Sequence, residues 1–251
     1  MSKFSIATWN VNGIRAREQQ FSEWVKRDRP DIICLQEIKA SPEKVPEPLS
    51  KLAGYHCYWH GTGGYSGVAL HVRQDAFAVA PTYSHPSFDF ETRIVEADLG
   101  EFVVASVYVP NGGKDFAAKM RFLEALVAHA KALSQAGKKL ILCGDLNVAH
   151  TERDVNEKDR KPEVIGQRPE ERALFDQLLS ENLTDVQRML YPDRTDLFTW
   201  WAPWRNLRQR NIGWRIDYIL ASQSLAARIK TCPVLVDVGS SDHAPVVAVV
   251  E

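Results

Sequence analysis

The sequence has little of what marks a membrane, secreted or disulfide-bonded protein. No apolar run approaches the roughly 20 residues of a bilayer-spanning helix, so no membrane span and no membrane partner are expected. The first residues run almost at once into Phe4, Ile6 and Trp9 without a charged segment followed by an apolar one, so no secretory leader is expected. There are only four cysteines, Cys34, Cys57, Cys143 and Cys232, none in CxxC spacing and two inside apolar runs. Reduced, buried thiols in a cytoplasmic protein fit that pattern better than disulfides or zinc. Excess charge of either sign is also missing: the formal net charge is −1, which advertises no nucleic-acid partner. Low-complexity stretches, repeats and linkers are absent too, so residues 1–251 read as a single domain, with no sign of an obligate oligomer.

What is present is ordinary in bulk, with 45% hydrophobic and 25% charged residues as in soluble globular chains. Its order is more informative. Leu140, Ile141, Leu142 and Cys143 form a short apolar run between Lys139 and Gly144, the pattern of a strand buried on both faces. Similar strand patterns occupy residues 4–8, 32–35, 68–72, 216–220 and 246–250, while residues 93–99 and 102–109 flank Gly100 as a hairpin. Phe21, Trp24 and Val25 keep helical spacing, as do Phe116, Met120, Leu123 and Val127 up to Gly137, and residues 170–179. Residues 151–168 are charged and without periodicity, a long loop of the kind that is often functional. A mixed α/β fold follows.

The apolar runs end repeatedly in short polar groups: Asn10 and Asn12, Glu37, Asn111, Asp145 and Asn147, Asp217, and Ser241-Asp242-His243. Each alone is more often a turn than a catalytic residue. If the strands share an end, however, the tips build one crevice. Asp145 and Asn147 lie two apart and on an extended segment would point the same way, able to orient a water. Glu37 and Asp242 offer hard oxygen ligands suited to Mg²⁺. His243 is the one histidine directly beside a carboxylate at a strand entrance, and Asp217 is the candidate to orient it toward a phosphate. Tyr108 could stabilise a leaving oxygen or simply pack. The one electrostatic asymmetry lies between Asp196 and Asp217, where Arg205, Arg208, Arg210 and Arg215 meet no acidic residue.

Six ordered motifs carry a family resemblance over the whole chain: Trp9-Asn10-Val11-Asn12-Gly13, Leu35-Gln36-Glu37, Tyr108-Val109-Pro110-Asn111, Gly144-Asp145-Leu146-Asn147, Gly213-Trp214-Arg215-Ile216-Asp217-Tyr218 and Ser241-Asp242-His243. They resemble those of exonuclease III-type apurinic/apyrimidinic endonucleases, bacterial branch. The resemblance implies a four-layered sandwich of two packed mixed β-sheets flanked by helices. It also implies Mg²⁺-dependent (alternatively Mn²⁺-dependent) hydrolysis of the phosphodiester 5′ to an abasic site in double-stranded DNA, with 3′–5′ exonuclease and 3′-end-cleaning activity. The partner would be duplex DNA with abasic or blocked 3′ ends, met by a monomer in the bacterial cytoplasm.

Carried over residue by residue, Glu37 resembles the main metal ligand, with Asn12 and Asp242 completing its surroundings. Asp145 resembles the residue that orients or deprotonates the attacking water, supported by Asn147 and Asn10. His243 with Asp217 resembles the phosphate-side group, and Tyr108 and Asn111 line the same centre. Trp200 and Trp214 match an abasic-sugar pocket, and Lys114 and Trp204 match side chains that enter the two grooves. Arg205, Arg208 and Arg210 are candidates for backbone phosphates, and Trp201 is expected to pack inside. Two departures stand out. Asn12 replaces an Asp found in some members, which implies looser metal binding. The 151–168 loop lacks asparagines at a spacing some members show, with Lys161 at one such place, so no catalytic role is assigned there. A phosphodiesterase or phosphatase of the same fold acting on a lipid or inositol phosphate, a general deoxyribonuclease, and a nucleic-acid-binding regulator without chemistry are the competing readings.

Overall fold

Every apolar run named above lies in a strand, because both of its faces find cover. In the computed structural model, which describes residues 3–251, strands numbered along the chain form two sheets. The first holds β1 (Phe4–Asn10), β2 (Ile32–Gln36), β3 (Tyr55–His60), β4 (Val68–Arg73), β11 (Ile229–Thr231) and β12 (Val246–Val250), in the order β11-β12-β1-β2-β4-β3. The second holds β5 (Thr82–Ser84), β6 (Ile94–Asp98), β7 (Val103–Tyr108), β8 (Leu140–Asp145), β9 (Leu183–Asp185) and β10 (Asp217–Ser222), in the order β5-β6-β7-β8-β10-β9. Both sheets are mixed: β1 and β2 run parallel, as do β7 and β8, and the remaining pairs are antiparallel.

Alternation along each strand splits its side chains between two cores. Ile6, Cys34 and Leu70 of the first sheet meet Val104, Ile141, Cys143 and Ile219 of the second in the central core. The opposite faces are covered by helices. Phe21, Trp24 and Val25 of α1 (Glu18–Asp28) cover Ala7, Trp9, Ile33 and Leu35. Beyond the short α2 (Glu47–Ser50), α3 (Phe116–Gln135) and α4 (Pro169–Ser180) place Phe122, Leu126, Phe175 and Leu178 on Val107, Leu142 and Leu220. Four layers result, and each fully buried aromatic or aliphatic side chain contributes about 1.5–3 kcal/mol. Caps set the helix ends: the Asp115 carboxylate accepts from Ala118 N at 2.8 Å, and Arg29 closes α1 with a left-handed φ of 44°.

Two expectations need revision. Gly144 does not bound its strand but lies within it, paired with Val107; a Cβ there would sit 1.9 Å from the Val107 carbonyl oxygen. Four strands, β3, β5, β9 and β11, carry no alternation strong enough to read: all are edge strands, β5, β9 and β11 have only three residues each, and the side chains of β3, β5 and β11 are largely half-buried or exposed.

Register decides where the strands end. Asn10, Gln36 and Val68 stand side by side across the first sheet, and Tyr108, Asp145 and Asp217 across the second. The polar tips therefore do share one rim.

Candidate active site

At that rim β1 and β8 end in the same device. The Asn10 side-chain oxygen accepts from Asn12 N at 3.0 Å, and Asp145 Oδ1 accepts from Asn147 N at 2.9 Å. In both cases the second residue turns into the left-handed region, with φ 45° for Asn12 and 50° for Asn147. Asn tolerates that region because its short amide bonds locally. This corrects the extended-segment expectation: Asp145 and Asn147 converge through a turn, which also brings Asn147 Nδ2 to 3.3 Å from Asp145 Oδ2 and 2.9 Å from the Val109 carbonyl. Glu37, one residue past β2, has φ 49°; such strain persists where surroundings fix it and clusters at functional sites.

Asn10 ties the sheets together at this point. Its Nδ2 donates to Glu37 Oε1 at 3.0 Å and to Asp145 Oδ2 at 2.9 Å. His243 Nδ1 lies 2.9 Å from Asp217 Oδ2, and its Nε2 lies 3.9 Å from Asp145 Oδ2. Asn12 Nδ2 donates to Asp242 Oδ1 at 2.9 Å, and the Trp200 indole donates to Asp242 Oδ2 at 3.0 Å. Asn111 Nδ2 is 3.4 Å from Asn147 Oδ1. Of these groups Glu37, Asn111, Asp145, Asn147, Trp200, Asp242 and His243 line a cleft of about 300 Å³, together with Tyr108, Trp214, Ile165 and Ile216, while Asn10, Asn12 and Asp217 support them from behind. A larger depression, about 810 Å³, lies between Arg194, Arg208 and Val236, but the carboxylate–histidine cluster is in the smaller one, so chemistry belongs there.

The buried charges shift each other. Burial, then the neighbouring Asp217, pushes the Asp145 carboxyl up to about 7. His243 moves the other way from a buried imidazole: burial disfavours its charge, but Asp217 outweighs this and holds it protonated up to about 10. Burial raises the Glu37 carboxyl, yet hydrogen bonds from Asn10 and Lys39 leave it below the usual range. Asp242 is likewise raised by burial and lowered further by His243, Asn12 and Trp200. The Tyr108 hydroxyl is held firmly neutral by burial and by Glu37.

Lys39 belongs to this centre and escaped the sequence reading. Its ammonium lies 2.8 Å from Glu37 Oε2 and 2.6 Å from Asn12 Oδ1, from a backbone at φ 50°. Its only signal is a cation two residues after the key carboxylate. A divalent cation suits the donor set: Glu37, Asp145 and His243 bring ligand atoms within 4.8 Å of one another, and Asn12 and Asp242 adjoin them. A protonated His243 cannot ligate, which leaves the oxygens as the holding groups.

The remaining expected residues fall differently. Trp200 and Trp214 pair backbone to backbone and meet edge to face at 5.8 Å in the cleft wall. Trp204 is 60% exposed beside the cleft, and Trp201 is buried. Lys114 lies over the Tyr65 ring at 5.5 Å. Arg205 and Arg210 are exposed. Arg208 is a correction to the phosphate-contact set: its guanidinium is occupied by the carbonyls of Ser241 at 2.6 Å and Val236 at 2.7 Å and stacks on Trp201. Arg215 also leaves the basic patch. It is buried between Asp154 and Asp185, carboxylates supplied by other segments, and through Asp154 it anchors the 151–168 loop. That loop in turn delivers Ile165 to the cleft.

An Exodeoxyribonuclease of Bacillus subtilis is 37% identical over 251 residues, covering 96% of this chain and 97% of its own. The 3′ phosphatase NExo from Neisseria, bound to a product DNA hairpin, superposes with a TM-score of 0.90 at 31% identity, covering 99% of both chains. An AP endonuclease from Archaeoglobus fulgidus superposes at 0.85 with 30% identity, again over 99% of both. Residues 7–243 match the family described as Endonuclease/Exonuclease/phosphatase. The chain belongs to the Endonuclease/Exonuclease/phosphatase family and is a DNA repair nuclease.

Proposed function

We propose that this nuclease hydrolyses the phosphodiester 5′ to an abasic site in double-stranded DNA, trims 3′ ends at the same centre, and uses Mg²⁺ or Mn²⁺. The observation that carries the reading is the opposition of Asp145 and a protonated His243 across 3.9 Å, beside a cleft walled by Trp200 and Trp214. A phosphate seated alongside the pair would meet a cation at His243 and a base at Asp145. Asp145, fixed by Asn10 and Asn147, accepts the proton of the attacking water. His243, fixed by Asp217, offers its Nε2 proton to a phosphoryl oxygen and offsets the charge that develops there. Asn111 and the neutral Tyr108 hydroxyl supply further donors to the same group. Glu37, with Asn12 and Asp242 beside it, would hold the divalent cation, which when bound supplies further neutralisation of the phosphoryl group.

The aromatic wall suits a base-less sugar. Trp200, Trp214, Ile165 and Ile216 are apolar neighbours for a deoxyribose, and an unstacked lesion costs least to extrude. Trp204 in this reading stacks on exposed bases, and Lys114, Arg205 and Arg210 meet the duplex, so binding should weaken as salt rises. In this reading residues 1–251 act as one catalytic unit and as a monomer beside the bacterial chromosome, in the cytoplasm. Among the described residues no helix is long and apolar enough to cross a membrane.

Cleavage of a duplex carrying one abasic analogue, with Mg²⁺ and then with chelator, tests the proposal. Incision on the 5′ side that the chelator abolishes is the expected result. Equal cleavage of undamaged duplex, or preference for a free phosphomonoester, would replace it with a general deoxyribonuclease or a phosphatase.

A further inference from the structure

At the β3 and β5 edges of the two sheets, outside the lining of the cleft, three ligand-type side chains converge. His60 ends β3 in the first sheet, while His85 and Asp89 lie between β5 and β6 of the second. His60 Nε2 is 2.6 Å from Asp89 Oδ2, and the His60 and His85 rings stack with centroids 3.8 Å apart. One ring nitrogen from each histidine and one Asp89 oxygen all lie within 4.8 Å of one another.

The groups behind these three are as informative as the three themselves. His85 Nδ1 is 3.2 Å from the Ile94 carbonyl oxygen, which can only accept, so Nδ1 carries the proton and Nε2 keeps a lone pair. Asp89 Oδ1 accepts from Arg93 N at 2.8 Å and Ile94 N at 3.1 Å, which turns Oδ2 toward the histidines. Metal-binding histidines and carboxylates are oriented in this way by backbone partners on their far side. The Nε2 lone pair of His85 accepts from the Tyr58 hydroxyl at 2.8 Å, which a cation would displace and which would then stand next to the remaining position.

We propose that His60, His85 and Asp89 form a second metal site, for a transition-metal cation of the Zn²⁺ class, distinct from the catalytic cleft. Two imidazole nitrogens and one carboxylate select Zn²⁺, Co²⁺ or Ni²⁺, whereas Mg²⁺ prefers an all-oxygen set. Three protein ligands leave one place for water or the Tyr58 oxygen. The ion would clip β3 of one sheet to the β5–β6 connection of the other, at sheet edges that no strand covers. His60 is level with Val68 and Gln36, so the clip stands on the same rim as Glu37, two strands away.

The test uses the full chain, stripped with chelator and titrated with Co²⁺, whose visible absorption reports nitrogen ligands and coordination number. Wild-type protein is expected to take up one equivalent with a tetrahedral-type band that excess Mg²⁺ does not remove. Glu37→Gln, altered only in the cleft, is expected to retain it. His85→Ala and Asp89→Asn are expected to weaken it by about tenfold or more, and Zn²⁺ should raise Tm in wild type and Glu37→Gln but not in His85→Ala. Absence of the equivalent in wild type overturns the proposal. So does its loss in Glu37→Gln, which would place the ion in the cleft, an outcome that stands even if a histidine variant fails to fold.

Discussion

Asp145 Oδ2 and His243 Nε2 stand 3.9 Å apart, buried, with a carboxyl raised to about 7 facing an imidazolium that persists to about 10. Asp145→Asn keeps the volume and removes the base. Turnover on abasic duplex is expected to fall about a thousandfold or more, while the dissociation constant for that duplex changes little. Substantial residual cleavage in single-turnover assays would move the water-orienting role elsewhere.

The same substitution is expected to stabilise the fold. A carboxyl whose folded pKa is about 7 against roughly 4 unfolded resists ionisation in the folded state. Its ionisation therefore costs nothing below pH ~4, costs progressively more from there to about 7, and stays constant above. Asp145→Asn should gain on the order of 4 kcal/mol above pH 7, shrinking toward pH 4. Urea unfolding at both ends of that window checks it; a gain that grows on acidification would contradict the assignment.

Protons and the divalent cation should compete at this cluster. If the ion is held beside ionised Asp145 and Glu37, its affinity is expected to fall about tenfold per pH unit below 7 and to level off above. Calorimetric titration with Mn²⁺ at pH 6 and pH 8 measures this directly. A flat profile would exclude Asp145 from the ion's surroundings.

Asn12 accepts from Lys39 and donates to Asp242, so its amide matches both neighbours. Asn12→Asp would set a carboxylate against Asp242. The metal-free protein should lose stability, and divalent affinity should tighten by about tenfold, since charge count tunes such sites. Unchanged affinity would show that Asn12 lies outside the ion's reach.

Trp204 is exposed beside the cleft and supports nothing inside it. Trp204→Ala should weaken abasic-duplex binding by about 1–3 kcal/mol and leave the single-turnover rate intact. An unaltered dissociation constant would return this residue to plain surface.

Behind the cleft, Lys119 and Glu171 form a fully buried ion pair, and the Lys119 ammonium also donates to the Asn147 carbonyl at 2.7 Å. Lys119→Met should cost about 3–5 kcal/mol by stranding Glu171, and adding Glu171→Leu should recover only part of it, because the carboxylate also accepts from Gly166 N and Arg168 N. Turnover should stay depressed in the double variant, because the Asn147 turn has lost its prop. Recovered turnover would make the pair purely structural.

The strands that cross the core were legible because burial on two faces writes a continuous apolar run, and 246–250 matches to the residue. Edge strands such as β3 were not, since half-exposed faces accept mixed side chains. Strand tips carried the site because polar residues after apolar runs are conspicuous. What the tips could not convey was partnership. Arg215 looked like surface charge until Asp154 and Asp185 closed on it, and Lys39 looked incidental until Glu37 turned back through φ 49°. Partners distant in sequence leave no periodic trace.

The two sheets share one pairing plan: β11-β12-β1-β2-β4-β3 and β9-β10-β8-β7-β6-β5 have the same sequence of parallel and antiparallel neighbours. The chain visits the corresponding places in different orders, which is why no repeat is visible in the sequence. In this correspondence β1 matches β8, and Asn10 occupies the place of Asp145. One half contributes an amide and the other an acid to otherwise like turns. In the proposed reaction a scaffold with near-twin halves would acquire its handedness from this single oxygen-for-nitrogen exchange, which would set the side from which water approaches.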